Sequence, residues 1–223
     1  MTKPVDILAQ YPAKTKFQKQ KFQEDVQNFA QNLGYSVMIE KGSFGCQNLL
    51  IGNPKQAKFY IASGNALSGL AAWLETIRTF PENQRNKVCF LLLDGKTGAS
   101  FFRKNYPEET ESRLLINLNH VGDGNHLRMY PTKRLKENRL RLTSLYRACG
   151  YCGTRDLLVS EEKPSKYQKP YPCFPYAITV CAVQAHKKRL RYIHKTKDTA
   201  LDTTNVNILR AALTTFLCCD EVN

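Results

Sequence analysis

The 223-residue sequence contains no run of about eighteen apolar residues, the length that a membrane-spanning helix needs. Its opening stretch, MTKPVDILAQYPAKTK, has no apolar core of the roughly 7–15 residues that a secretory signal requires. These two absences point to a soluble, cytoplasmic chain. There is no internal repeat, which excludes a repeat array. Several catalytic signatures are missing as well. GKTGAS at 95–100 lacks the first glycine of a phosphate-binding GxxxxGKT loop, and no G-x-S-x-G is present. Acidic residues are scarce: 19 Asp and Glu stand against 33 Lys and Arg, a formal net charge of +14.

The remaining composition is that of a globular protein. Apolar residues make up 42%, aromatic residues 10% and charged residues 23%, which excludes a disordered chain. The length fits a single domain over 1–223. The net charge favours anionic partners and speeds their association. Basic residues gather in three places: Lys14, Lys16, Lys19 and Lys21; Lys133, Arg134, Lys136, Arg139, Arg141 and Arg147; and Lys187, Lys188, Arg189, Arg191, Lys195 and Lys197. Such clusters serve either as a solvated exterior or as the footprint of an anionic macromolecule, and no nucleic-acid-binding motif accompanies them.

Eight cysteines are present, and without a secretory signal reduced thiols are expected. Cys89 and Cys181 sit in apolar runs and read as small hydrophobic residues. Cys149 and Cys152 form a C-x-x-C pair, which can be half a zinc site or a redox pair. No second pair completes it. Cys173 and His186 are the nearest candidates, and ordinary reduced cysteines are the simpler reading.

Residues 17–33 have helical apolar spacing, with Gly34 as a C-terminal stop. Strands are expected at YSVMIE (35–40), NLLI (48–51), AKFYIA (57–62), VCFLLLD (88–94), LLINLNHV (114–121) and AITVCAV (177–183). Helices are expected at 65–79, 135–148 and 205–217. The near-continuous apolar runs suit strands buried on both faces. Strands alternating with helices predict a three-layer α/β/α fold with a mixed, largely parallel central sheet. Residues 153–176 read as a long loop.

The order of these segments resembles the twenty-eighth metallopeptidase family, zinc-dependent aminopeptidases related to glutaminyl cyclase. TKFQKQKFQEDVQNFAQNLGYSVMIEKG and NLLIGNPKQAKFYIAS resemble the family's opening helix and first strands. NALSGLAAWLETIR resembles the helix that opens with DNASG. VCFLLLDGKTGASFF resembles the strand running into a Gly-Glu-Glu turn. LLINLNHVG resembles the strand ending in Asn-Leu-Asp, and YIHKTKDTALD the last metal loop. The resemblance covers nearly the whole chain and implies a zinc-exopeptidase-like fold.

The resemblance also implies a pair of zinc ions held by histidines and carboxylates, with a glutamate as general base. Carried over by position, the first histidine falls at Ser63 or Gly64, and the bridging aspartate at Asn65. The general base falls at Lys96, the adjacent metal ligand at Thr97 and a later aspartate at Asn119. His194 alone is kept, beside Asp198 and Thr199. Neutral amides are poor zinc ligands, and an ammonium repels a metal.

The expectation is therefore a catalytically inactive chain with no catalytic or metal-binding residue and no cofactor. Its vestigial pocket, lined by Asn65, Lys96, Thr97, Asn119 and His194, would take a small anion or a peptide terminus. Two alternatives stay open. One is an active metal-dependent aminopeptidase with a rearranged zinc site, drawing on His120 and Asp123. The other is a basic surface module for nucleic acid or another anionic partner, with Lys136, Arg139 and Arg141 in its footprint.

Overall fold

The computed structural model describes residues 7–8, 16–63, 66–121, 126–137, 158–159, 171, 173–186, 189–191, 207, 209–211 and 213–214. Helix α1 (Lys16–Asn32) leads into strand β1 (Val37–Lys41), a 3-10 turn (Ser43–Gly45), β2 (Gln47–Ile51) and β3 (Phe59–Ser63). Helix α2 (Leu67–Thr79) and a second 3-10 turn (Glu82–Lys87) precede β4 (Val88–Leu92). Helices α3 (Gly95–Asn105) and α4 (Pro107–Ser112) follow, then β5 (Leu114–Leu118), β6 (His126–Pro131) and the short α5 (Lys133–Glu137). The remaining strands are β7 (Leu158–Val159), β8 (Ala177–His186) and β9 (Arg189–Arg191).

The nine strands among the described residues form one sheet in the order β1-β2-β4-β3-β5-β8-β6-β7, with β9 paired to β8. Its centre, β4-β3-β5-β8, is parallel, and β1, β2, β6 and β9 add antiparallel margins. The apolar runs explain the centre. Every residue of β3, β4 and β5 is buried, so these strands need cover on both faces.

Strand alternation sends one set of side chains to each face. Leu49, Ile51, Ile61, Phe90, Ile116 and Val180 pack with Phe22, Val26 and Phe29 of α1 and with Leu70, Trp73 and Ile77 of α2. Leu50, Tyr60, Cys89, Leu91 and Leu115 pack on the other face with Ala99 and Phe102 of α3 and with Phe174. Two covered faces make three layers, with a mixed sheet between helices. Trp73 donates its indole N–H to the Ile61 carbonyl at 3.0 Å, which fastens α2 to the central strand. Gly69 permits the close approach: a Cβ there would lie 2.6 Å from the Leu118 carbonyl oxygen.

Several boundaries differ from the sequence reading. The GKTGAS segment is the first half of helix α3 rather than a turn, because Phe102 and Ala99 bury one side of it. β8 runs three residues past the expected 183, and β6 and β9 were not expected. The basic helix begins at Lys133, two residues early, and its described part ends at Glu137; 138–148 lie outside the described residues. Within the expected 153–176 loop, Leu158–Val159 pair in parallel with Arg128–Met129, and Phe174 is fully buried. The described residues 207, 209–211 and 213–214 of the expected last helix are helical, with Leu209 and Leu213 in the core. No helix among the described residues is long and apolar enough to cross a membrane.

Candidate functional site

In open α/β sheets the carboxyl ends of the parallel strands converge on one rim, where ligands bind. Here the rim is made by the residues after Ser63, Leu92 and Leu118, which stand level in the register. Lys96 and Thr97 are exposed on the first turn of α3, directly past β4. Asn119 follows β5, half-buried, with its N–H donated to the Val180 carbonyl at 3.0 Å. The structure thus brings Lys96, Thr97 and Asn119 to the same rim, on either side of β3. Asn65 and His194, the other two expected pocket residues, lie outside the described residues, as do Asp123, Asp198, Cys149 and Cys152.

The turn that carries Lys96 is held by a buried side chain that sequence reasoning missed. Asn48 of β2 accepts a hydrogen bond from the Asp94 N–H at 3.0 Å. Its amide nitrogen donates to the Gly98 carbonyl at 2.9 Å and to the Glu40 carboxylate at 3.2 Å. The other Glu40 oxygen accepts from Asn105 Nδ2 at 3.0 Å. Gly98 is a requirement of this clamp: a Cβ would lie 2.2 Å from Asn48 Oδ1. The Gln47 N–H adds a long contact to Asp94 Oδ2 at 3.4 Å.

Glu40 is buried although it lies in the edge strand β1, while its neighbours Met38 and Ile39 are exposed. Burial, together with the nearby Glu40 carboxylate, pushes the Tyr106 phenol up to about 12. The only signal in the sequence was the polar residue itself: register pairs Glu40 with Asn48 across β1 and β2, a non-local fact.

The end of β5 is arranged differently. Asn117, 6% exposed, donates from Nδ2 to Thr179 Oγ1 at 3.3 Å, and its Oδ1 is buried without a partner. His120 sits at φ +47°, the only non-glycine in the left-handed region among the described residues. Its carbonyl accepts from the Ala182 N–H at 2.9 Å. Such residues cluster where function or tertiary packing over-determines the backbone.

Described cysteines follow the apolar reading. Burial pushes the thiols of Cys89 and Cys181 well up, and that of half-buried Cys173 up as well, so all three favour the neutral thiol.

The described rim residues do not fit the pair of zinc ions that the resemblance implies. Zinc sites are built from thiolate, imidazole and carboxylate. Lys96 brings an ammonium, Thr97 a hydroxyl and Asn119 a neutral amide. Among the described residues no group of three or more His, Cys, Asp or Glu is placed to hold a metal ion. What the described rim residues offer chemically is one exposed cation, a hydroxyl and an amide able to donate and accept hydrogen bonds.

No protein-family model and no curated protein matches this sequence. Solved structures do match it. A Zn-dependent exopeptidase from Parabacteroides distasonis aligns over 96% of this chain and 94% of its own, with 14% identity and a TM-score of 0.63. The glutaminyl cyclase of Fimbriiglobus ruber aligns over 96% and 92%, with 15% identity and a TM-score of 0.66. That of Macrostomum lignano aligns over 96% and 87%, with 10% identity and a TM-score of 0.66. The three-layer architecture, the parallel centre with antiparallel margins and the end-to-end alignments agree: this chain has the fold of the zinc-dependent exopeptidases and glutaminyl cyclases.

Proposed function

We propose that this chain is a catalytically silent binding protein on the exopeptidase fold, whose rim takes a small anion or a peptide terminus. The observation that carries the reading is Lys96. An exposed ammonium occupies the first turn after β4, where the family resemblance places the general-base glutamate. A lysine ammonium donates three hydrogen bonds and accepts none, so it cannot take a proton from an attacking water. Thr97 and Asn119 remove two further carboxylates from the same rim and leave hydrogen-bonding groups in their place. Exchanging anionic ligands for a cation and amides turns a cation site into one that favours carboxylate or phosphate.

The test uses short peptides with free and with amidated C-termini, titrated calorimetrically against the full chain. Lys96→Glu should weaken binding of the free-carboxylate peptides by about tenfold or more, since losing a charge-assisted contact costs about 1.5–3 kcal/mol. The amidated peptides should change little. Equal affinity of wild type and variant for the free carboxylate overturns the reading. The alternative of a rearranged zinc site makes the opposite prediction: zinc retained through dialysis and lost on His194→Ala.

A further inference from the structure

The parallel strands β3, β4 and β5 start level as well as end level. Register sets Phe59 beside Val88 on one side and beside Leu114 on the other. The residues just before these three are Lys58, Lys87 and Arg113, one cation at the start of each strand. The Lys58 N–H is donated to the Lys87 carbonyl at 2.9 Å, so the pairing reaches these two residues. Neighbouring strands lie about 4.8 Å apart, so the three starts span about 10 Å. They mark the amino ends of the strands, about 13 Å from the rim at a rise of ~3.3 Å per residue.

A fourth cation joins the row. The Tyr60 hydroxyl donates to the Pro54 carbonyl at 2.8 Å, which ties the turn carrying Lys55 to β3. Burial above all pushes the Tyr60 phenol well up; the Glu109 carboxylate pushes the same way, and the Arg113 charge acts against both. Arg113 and the Lys55 turn therefore both lie close to the Tyr60 ring. Lys55 and Lys58 are exposed, and Lys87 and Arg113 are half-buried.

Four other arginines are matched with acids. Arg78 meets Glu75 at 2.8 Å, Arg85 meets Glu82 at 3.1 Å, and Arg103 and Arg134 meet Glu111 at 3.0 and 3.4 Å. Among the described residues, none of Lys55, Lys58, Lys87 and Arg113 makes an ion pair. Glu109 precedes Arg113 by one turn of α4 and is not paired with it. The Arg113 Nε is buried without a hydrogen-bond partner. A buried donor left without a partner costs free energy, more so when its group is charged. Like charges side by side on neighbouring strands repel. A bound anion offsets the repulsion and gives the guanidinium the partner that the fold withholds.

We propose that the amino ends of β4, β3 and β5 form a binding site for a compact polyphosphate group, held by Lys55, Lys58, Lys87 and Arg113. Phosphate oxygens suit both kinds of cation: a guanidinium grips them as a planar fork, and an ammonium acts as a point charge. Four cations in so short a row match a chain of two or three phosphates better than a lone carboxylate. A nucleic-acid backbone fits less well. It needs cations along its length, and this row ends at α4, whose Glu108, Glu109 and Glu111 stand just before Arg113. The proposal does not depend on the rim binding a small anion.

The test is calorimetric titration of the full chain with inorganic tripolyphosphate at fixed ionic strength. K55Q/K58Q should bind at least about tenfold more weakly, since charge-assisted contacts are lost. Arg113→Gln should lose as much, and Arg113→Lys, which keeps the charge without the fork, should recover part of the loss. Because Lys55 and Lys58 are exposed, K55Q/K58Q decides the matter even where Arg113→Gln fails to fold. Lys96→Glu alters the net charge as much as K55Q/K58Q does, but at the rim, and should change affinity less than about threefold. A nucleoside triphosphate titrated in parallel distinguishes the source of the phosphates. An affinity at least about tenfold higher points to a nucleotide and an equal one to the phosphate chain alone, and both support the site.

Absence of tripolyphosphate binding by the wild type overturns the proposal. So does an equal loss in K55Q/K58Q and Lys96→Glu, because the anion then follows total charge or sits at the rim. So does a K55Q/K58Q variant that loses binding to a DNA duplex while keeping its tripolyphosphate affinity. Because the probe is a polyphosphate and not a peptide, and the deciding variant leaves Lys96 in place, failure here is distinguishable from failure of the rim reading.

Discussion

The carboxyl ends of β4 and β5 flank the same central strand, and they are secured in opposite ways. Past β4, one buried asparagine ties the Asp94 N–H, the Gly98 carbonyl and the Glu40 carboxylate together, and Asn105 completes the set. Past β5, a buried asparagine has one long hydrogen bond and an oxygen without a partner, and the chain turns through a left-handed histidine. The first end is tied by side-chain hydrogen bonds, and the second is paired along its backbone with β8. On the proposed reading, the rim has a wall past β4 where side-chain hydrogen bonds hold the turn that carries Lys96, and a wall past β5 that carries Asn119.

The largest effect should come from filling the space that the clamp leaves at Gly98. Gly98→Ala sets a methyl 2.2 Å from Asn48 Oδ1, so the asparagine or the helix must move. Overpacking and loss of the clamp together should cost about 4 kcal/mol, read as a fall in the urea midpoint. In an Asn48→Ala background the obstructing oxygen is gone, so the same substitution should cost far less. Additive costs in that double-mutant cycle would show that Gly98 is needed for some reason other than Asn48.

Next in size is the contrast between the two asparagines. Asn48→Ala leaves an N–H, a carbonyl and a carboxylate buried without their partner, for about 3 kcal/mol. Asn117→Ala removes one bond of 3.3 Å and, with it, an amide oxygen that had no partner. Its cost should stay under about 1 kcal/mol. If the two variants melt together, the walls are equally fixed and the comparison fails.

The sequence made the frame legible because the frame rests on local pattern. The runs FYIAS, VCFLL and LLINL are apolar enough to declare buried strands, and the helical spacing of Phe22, Val26 and Phe29 matches α1. The position of Lys96 and Asn119 past two of these strands was readable for the same reason. What was missed is non-local. Glu40 and Asn48 look like ordinary polar residues at strand ends until register sets them face to face. β9 has three residues, two of them arginine, and becomes a strand only because β8 is long enough to pair with it. Helix α3 opens with two glycines in four residues, which reads as a turn until Phe102 is seen packed beside Tyr60, ring centroids 5.4 Å apart.

The smallest and most discriminating effect concerns the strained wall. A histidine at φ +47° bears a steric cost that glycine does not, of the order of 1 kcal/mol. Glycine, however, gives up about 0.5–1 kcal/mol through the freedom of the unfolded chain. On the backbone terms alone, His120→Gly should therefore be neutral or stabilising by up to about 0.5 kcal/mol, while β-branched His120→Val should cost more than about 1 kcal/mol. Stability in the order Gly, His, Val, measured by denaturant titration, would mean that the left-handed turn is set by the β5–β8 pairing and that the imidazole adds nothing to it. A His120→Gly variant destabilised by more than about 1 kcal/mol would mean the reverse. The imidazole would then be a structural contact of the β5 wall, and the two ends of the rim would be fixed by the same means.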